Sequence, residues 1–161
     1  MSISRLKTDA EEPFMSSAIG IDYGDSRIGI AVSDRMGLVA TPRCVIDGKK
    51  SLNDVCKAIG DIYKRELCAA VVIGYPLNMD GSSGNRVHRT EKFIERFSEM
   101  FPEAEIVRWD ERLTTVAADR AMLSMGVSQK KKGVSDMIAA QMILQGYLES
   151  KRAEKTQTGE V

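Results

Sequence analysis

Acidic side chains stand at three places in the chain where a fold driven by burial alone has no use for a charge. Asp22 ends a short apolar run, Asp110 and Glu111 end a second one, and Asp136 lies on the apolar stripe of a helical segment. If these segments are neighbours, Asp22, Glu111 and Asp136 meet, and three converging carboxylates repel one another unless a cation binds between them. Carboxylate oxygens favour Mg2+ or Mn2+. Such ions can activate a water and stabilise the leaving oxygen of a phosphodiester.

Each acid also has a simpler interpretation. Asp22 could stabilise a tight turn with Gly24, which is a common role of aspartate. Asp136 could be a helix N-cap, a contribution of about 1 kcal/mol. Glu111 could pair with Arg112 at the surface. Only the joint pattern of the three acids favours a metal site.

A basic stretch precedes the last acid. The run of Lys130, Lys131 and Lys132 belongs to a segment, 120–133, that has no acidic residue. Such a run is usually a solvated loop. Its position next to Asp136 also suits the binding of phosphates, since phosphate charge dominates the affinity of proteins for nucleic acids. Further cations could extend this surface, namely Arg27, Arg86, Arg89 and Arg112.

A nucleophile of the serine–histidine type is the weaker hypothesis. Ser82 and Ser83 lie in a loop, and His88 is the single histidine of the chain. His88 shares the polar face of a predicted helix with Lys92 and Glu95, so a solvated histidine is favoured.

The composition is that of an ordinary globular domain. The chain has 161 residues, of which 43% are hydrophobic and 29% are charged, and its 23 basic and 23 acidic residues balance to a net charge of zero. This excludes a disordered chain and a basic protein that binds nucleic acid through its overall charge. No apolar run is long enough to span a membrane. Aromatic residues make up 6%, so base stacking is not expected to dominate binding.

The cysteines and the termini indicate a cytoplasmic protein. Cys44, Cys56 and Cys68 form no CxxC motif, and they are expected to be free thiols in a reducing compartment. Residues 1–17 resemble neither a signal peptide nor a transit sequence. The sequence predicts one domain over residues 18–150, with flexible tails at 1–17 and 151–161.

Periodicity predicts alternating strands and helices. The expected strands are 18–22, 27–33, 38–46, 69–74 and 105–109. A helix that begins near Ser51 follows the third strand, a second one ends at Pro102, a third runs from 114 or 115 to 125, and the last covers 136–148. The fold class is α/β, a five-stranded mixed sheet flanked by helices, in which a three-strand antiparallel meander is joined to two parallel strands. Ligands of such sheets bind beyond the carboxyl ends of the parallel strands.

Four segments, in order and at matching spacing, resemble the YqgF family. They are GIDYGDSRIGIAVSD (20–34), VVIGYPLNMDGSSG (71–84), DERLTT (110–115) and DMIAAQMILQGYL (136–148). Members of this family are described as Holliday-junction-resolvase-like proteins and as pre-16S ribosomal RNA nucleases. The resemblance covers 18–150 and implies a ribonuclease H-like fold.

The resemblance also implies roles for individual residues. Asp22, Glu111 and Asp136 would be the catalytic acids and the ligands of Mg2+ or Mn2+, while the role of Asp110 stays open. Ser135 is a small departure, because relatives often have an apolar residue before the last acid. A further set would hold the nucleic acid, namely Arg27, Arg86, Arg112, Thr114, Lys130, Lys131 and Lys132.

The function implied by the resemblance is metal-dependent hydrolysis of phosphodiester bonds at the 5′ end of pre-16S rRNA. The expected partners are this RNA, branched DNA as an alternative, and a ribosomal precursor particle, with no membrane. The chain is expected to be a monomer or a weak dimer. Two other functions stay open: cleavage of Holliday junctions, and nucleic-acid binding without catalysis. An actin-like ATPase is disfavoured, since 161 residues leave no room for its two domains.

Overall fold

The computed structural model describes residues 16–77, 80, 84–113 and 132–158, which form a five-stranded sheet with helices on both faces. The strand order is β3-β2-β1-β4-β5; β1 is antiparallel to β2, and β2 to β3, whereas β4 is parallel to both β1 and β5. The strands are β1 (Ser17–Tyr23), β2 (Arg27–Ser33), β3 (Ala40–Asp47), β4 (Cys68–Tyr75) and β5 (Glu105–Asp110). The helices are α1 (Leu52–Arg65), α2 (Asn85–Met100) and α3 (Lys132–Thr158), and a 3-10 turn (Glu111–Leu113) follows β5. The predicted fold class is confirmed.

The sheet forms because its central strands carry apolar side chains on both faces. Ile19, Ile21, Ile28 and Ile30 are fully buried. Strands covered on both sides read as continuous apolar runs, which is the pattern of β1 and β4. The turn between β1 and β2 is closed by the Gly24 N–H, which donates to the carbonyl of Arg27 at 3.1 Å.

One face of the sheet is covered by α1 and α2. The Ser51 hydroxyl caps α1 by accepting a hydrogen bond from the Asp54 N–H at 3.1 Å. The two helices bury a set of branched and aromatic side chains, among them Val55, Ile59, Phe93 and Phe97. The residues buried on α2 and just after it recur at helical spacing and include Val87, Ile94, Phe97 and Phe101.

The other face is covered by α3, which buries two alanines together with Ile143, Leu144 and Leu148. Ala139 and Ala140 are buried against β1 and β2. A methyl group added to Gly20 would lie 2.6 Å from the Cβ of Leu144 and 2.9 Å from the carbonyl oxygen of Ala140. Helix and sheet can approach this closely only because the residue is glycine.

The last helix is longer than predicted. It begins at Lys132 rather than 136 and ends at Thr158 rather than 148, so it enters the stretch 151–161 that was predicted to be a tail. Its later turns are tied to the β2–β3 turn, because the Arg152 guanidinium donates to the carbonyls of Gly37 and Leu38 at 3.1 and 3.3 Å. The division into one domain and two flexible tails stays a prediction.

The third strand begins two residues later than predicted. The N–H groups of Leu38 and Val39 donate to Oδ1 of Asp34, which makes these residues part of a turn. At the first residue of β3, the Ala40 N–H donates to Oε1 of Gln145 at 2.8 Å, and its carbonyl accepts from Nε2 of Gln141 at 3.0 Å. The predicted helix from 114 or 115 to 125 lies outside the described residues.

The three cysteines are free, as predicted. Burial raises the pKa of the Cys56 thiol to about 11 and that of Cys68 to about 12. Both are therefore uncharged thiols at neutral pH. Within the described ranges, no helix has the length and apolar character that crossing a membrane requires.

Candidate active site

Asp22 lies at the carboxyl end of β1, in the middle of the sheet. Its side chain is buried, with 3% of the residue exposed. Gly20 faces α3, and side chains alternate along a strand, so Asp22 faces α3 as well. On one side, Asp22 is paired with Gly29 of β2. On the other side, Ile21 is paired with Ile73 of β4, so the next residues along the two strands, Asp22 and Gly74, lie beside each other. Asp22 thus has a glycine on each neighbouring strand.

Glu111 fills the space above one of these glycines. A methyl group built at Gly74 would lie 2.6 Å from Oε2 of Glu111. Adjacent strands are about 4.8 Å apart, so Glu111 and Asp22 lie side by side at the carboxyl edge. Glu111 belongs to the 3-10 turn after β5, which brings it back over the sheet.

Asp110 binds Arg112, the arginine that the sequence offered as a partner of Glu111. Its Oδ1 accepts a hydrogen bond from the Arg112 N–H at 2.9 Å, and its Oδ2 accepts one from Nη2 of Arg112 at 2.7 Å. The Arg112 guanidinium holds the pKa of Asp110 below its usual range. Asp110 therefore fixes the turn, and Glu111 faces the sheet.

Asp136 lies above the other glycine. A methyl group at Gly29 would collide with the carbonyl group of Asp136, so α3 crosses β2 in backbone contact. Because α3 begins at Lys132, Asp136 is in its second turn, and the alternative that it serves only as the N-cap is wrong. Its Oδ2 accepts a hydrogen bond from Nε of Arg27 at 2.6 Å.

The three predicted acids therefore share one edge and one face of the sheet, with Asp22 between the other two. Among the described residues, no three His, Cys, Asp or Glu side chains are close enough to hold a metal ion. Arginines lie beside two of the acids: Arg27 binds Asp136, and Nη2 of Arg86 is 3.6 Å from Oδ1 of Asp22. The donors at this edge are carboxylate oxygens, the type of ligand that a hard divalent cation prefers.

The predicted phosphate-binding residues are placed in part. Arg27 and Arg86 lie at this edge with side chains 44% and 38% exposed, and Nη2 of Arg86 also donates to the carbonyl of Tyr23 at 3.4 Å. Arg112 lies on the 3-10 turn. Lys132 is the first residue of α3. The remaining predicted residues are outside the described part, namely Thr114, Lys130 and Lys131.

The nucleophile hypothesis gains nothing from the placement of His88. This residue lies on α2 and is exposed, as the polar helix face predicted. Ser82 and Ser83 lie outside the described residues.

Two ion pairs that the sequence did not indicate stabilise the edge. Arg89 on α2 pairs with Asp25 in the β1–β2 turn. Glu91 on α2 accepts hydrogen bonds from the Tyr75 hydroxyl and, through both carboxylate oxygens, from Arg108 on β5. Their partners are 16 to 64 positions apart in the chain, so no local pattern could have revealed them.

The second of these pairs changes the ionisation of its members. The Arg108 hydrogen bonds lower the pKa of Glu91, while burial and the Glu91 carboxylate raise the pKa of Tyr75. The cluster joins the ends of β4 and β5 to α2. It therefore fixes the strand ends that precede the site.

The chain matches a family model described as RuvX, Holliday junction resolvase, over residues 16–150. Relatives provisionally named pre-16S rRNA nuclease are similar to it over most of their length. The protein of Ruminiclostridium cellulolyticum is 47% identical over 81% of this chain and 92% of its own. That of Acetivibrio thermocellus is 46% identical over 83% and 95%, and that of Ruegeria pomeroyi is 44% identical over 87% and 90%.

A solved structure of similar fold is the RuvC protein of Thermus thermophilus. In complex with a Holliday junction substrate it superimposes with a TM-score of 0.57 at 12% identity, over 85% of this chain and 96% of that one. Another RuvC structure from the same organism gives a TM-score of 0.54. This likeness shows the RuvC-like ribonuclease H fold. With the family model and the relatives, it shows that the chain belongs to the RuvX family of Holliday-junction-resolvase-like nucleases, as its four YqgF-like motifs indicated.

Proposed function

We propose that the chain hydrolyses phosphodiester bonds in a divalent-metal-dependent reaction at the edge that holds Asp22, Glu111 and Asp136. The observation that carries the proposal is the position of Asp22 between two glycines, one beneath the carboxylate of Glu111 and the other beneath the backbone of Asp136. If packing for stability were the only requirement, larger apolar side chains would be expected in place of the two glycines.

The three carboxylates would hold Mg2+ or Mn2+. When bound, such an ion lowers the pKa of a water and stabilises the charge on the leaving oxygen. Asp22 is held by the middle strand of the sheet and is nearly excluded from solvent. Glu111 and Asp136 approach it from a turn and a helix, on either side.

The arginines at the edge have two tasks in this proposal. Arg27 and Arg86 lower the repulsion among the acids, because each places a positive charge beside one carboxylate. Their side chains are more than a third exposed, so they can also reach the phosphates of a substrate. Guanidinium groups bind phosphate oxygens in a bidentate manner.

The proposed substrate is pre-16S rRNA, trimmed at its 5′ end in the cytoplasm, free or within a precursor particle. The relatives' name supports this choice, and the identities of 44–47% cover more than nine tenths of the first two relatives. An enzyme with zero net charge must bind RNA through local contacts.

The test is cleavage of a labelled 5′-extended 16S precursor RNA with Mg2+, with Mn2+ and with chelator. The wild-type chain is expected to shorten the RNA only with metal. Asp22→Asn should lower the rate on the order of 100-fold or more, because it removes a charge at the reacting centre. Asp61→Asn is the matched control, since it removes an exposed carboxylate of α1.

Two results would contradict the proposal. Cleavage by Asp22→Asn at the wild-type rate would remove this edge from the reaction. Binding of RNA without cleavage under any metal condition would favour the module that binds nucleic acid without catalysis.

A second candidate is the cleavage of Holliday junctions, which the description of the matching family model favours. A four-way DNA junction in the same assay separates the two. Paired symmetric cuts in the junction, with the RNA left intact, would make this the function, and the protein would then be expected to act as a dimer.

A further inference from the structure

The loop between β3 and α1 lies against the β1–β2 turn. The Gly48 N–H donates to the carbonyl of Ser26 at 2.9 Å. A methyl group at Gly48 would lie 3.1 Å from the carbonyl oxygen of Asp25, so the two loops are in backbone contact. The β1–β2 turn follows Asp22 directly in the chain. Residues 48–51 therefore sit at the acidic edge of the sheet, on its β3 side.

This loop presents two lysines to solvent. The Lys49 N–H donates to Oδ1 of Asp47 at 2.9 Å, which fixes the backbone at the point where the lysines begin. Lys49 and Lys50 are exposed. Neither side chain takes part in a salt bridge within the described residues.

The other cations of this edge are each paired with an acid. The pairs are Arg27 with Asp136, Arg86 with Asp22, Arg89 with Asp25 and Arg112 with Asp110. A phosphate that binds one of these arginines shares the guanidinium with a carboxylate, whose negative charge offsets part of the attraction. A phosphate that meets Lys49 or Lys50 replaces only water and counterions, and the release of counterions favours binding.

The start of α3 lies over the same side of the sheet. A methyl group at Gly133 would be 3.4 Å from Cγ2 of Val45 on β3. Lys132, the residue before it, is therefore placed at the β3 side, on the face that carries the acids. Two lysine-containing segments far apart in the sequence thus approach one corner of the molecule.

We propose that Lys49 and Lys50 form a phosphate-binding site for the nucleic acid, beside the acidic edge and distinct from the arginines within it. The nucleic-acid strand would cross the acids and continue past the end of β3. There the two lysines would contact phosphates that are not cleaved. The inference rests on the proposed function, because it takes nucleic acid as the ligand. It adds the direction in which the strand leaves the site.

The test measures binding of the 5′-extended precursor RNA by fluorescence anisotropy, in chelator and at several salt concentrations. Lys49→Gln/Lys50→Gln should bind about tenfold more weakly at ~0.15 M salt, and the slope of log K against log salt should fall by about 1.5, as expected for two lost phosphate contacts. Lys49→Arg/Lys50→Arg should restore both values.

The matched control is Lys57→Gln/Lys92→Gln, which removes the same charge from exposed positions on α1 and α2. It should leave the slope close to that of the wild type. A slope unchanged in the Lys49/Lys50 variant, or lowered equally by the control, would overturn the site. If the wild-type chain binds no RNA, the proposed RNA function fails together with the site, whereas wild-type binding with an insensitive variant removes the site alone.

Discussion

The face of the sheet that α1 and α2 cover, the aromatic face, is packed by large side chains from both the helices and the strands. On the face that α3 covers, the glycine face, the strands carry glycine and alanine at most contacts, and Ile143, Leu144 and Leu148 of the helix pack against them. Phe93, Phe97 and Phe101 stack with centroid distances of 4.7–5.4 Å on the first face. On the second, Gly29 and Gly74 bring backbone and carboxylates onto the strands. Burying large apolar side chains supplies stability. Close backbone approach supplies precise placement. The two faces thus differ in role: both bury apolar side chains, but the candidate site lies on the glycine face.

This difference predicts the largest loss of stability on the aromatic face. Phe97→Ala removes a fully buried ring that contacts Tyr63, Phe93 and Phe101, so we expect the free energy of unfolding to fall by about 4 kcal/mol. Urea denaturation measures the loss. The activity per folded molecule should stay close to that of the wild type. A collapse of activity in molecules that are still folded would show that the faces are not independent.

A substitution on the glycine face should have the opposite balance, with a smaller loss of stability and a large loss of activity. Gly29→Ala forces a methyl group against the backbone of α3, and a backbone cannot yield as a side chain can. We expect a loss of about 2 kcal/mol in stability but about 100-fold in cleavage rate, because Asp136 is displaced. Parallel urea curves and cleavage assays measure both.

The control for this substitution is Gly133→Ala on the same helix. Among the described residues, its added methyl group meets Val45, at an ordinary 3.4 Å, and alanine favours a helix. Stability should rise slightly and cleavage should persist. Equal losses of cleavage in both variants would contradict the role assigned to close approach at Gly29.

The smallest expected effect is a dependence of stability on pH from the aromatic side. Arg108 lowers the folded-state pKa of Glu91 below 4.5, so the pair stabilises the fold above that pH and the contribution disappears as pH falls through the lower value. Both side chains are more than a third exposed, so the contribution is below about 1 kcal/mol. Melting temperatures from pH 6 to pH 3 should fall more steeply for the wild type than for Glu91→Gln. If the melting temperatures of the two proteins fall in parallel, the ion pair of Glu91 with Arg108 does not contribute to the pH dependence.

The pattern of the sequence predicted much of the fold and the meeting of the acids of the candidate site at one edge of the sheet. Apolar runs gave the strands, and the order of elements placed Asp22 and Glu111 at one edge. The arginine partners could not be predicted, because Arg27 and Asp136 are 109 positions apart. The start of α3 could not be predicted either, because a lysine-rich segment carries no apolar periodicity that indicates a helix. The glycines within β2 and β4 looked like weak strand positions, and only the packing of α3 explains them.

The pairing of Gln141 and Gln145 with Ala40 has a consequence for how the molecule is made. These side chains bind the outward N–H and carbonyl at the start of β3, which is bound to β2 alone within the described part. Open strand edges pair with other chains. The strands β2 and β3 are synthesised well before α3. The outer edge of β3 and the glycine face therefore stay uncovered during most of translation. The nascent chain is therefore most prone to aggregate just before its final helix leaves the ribosome.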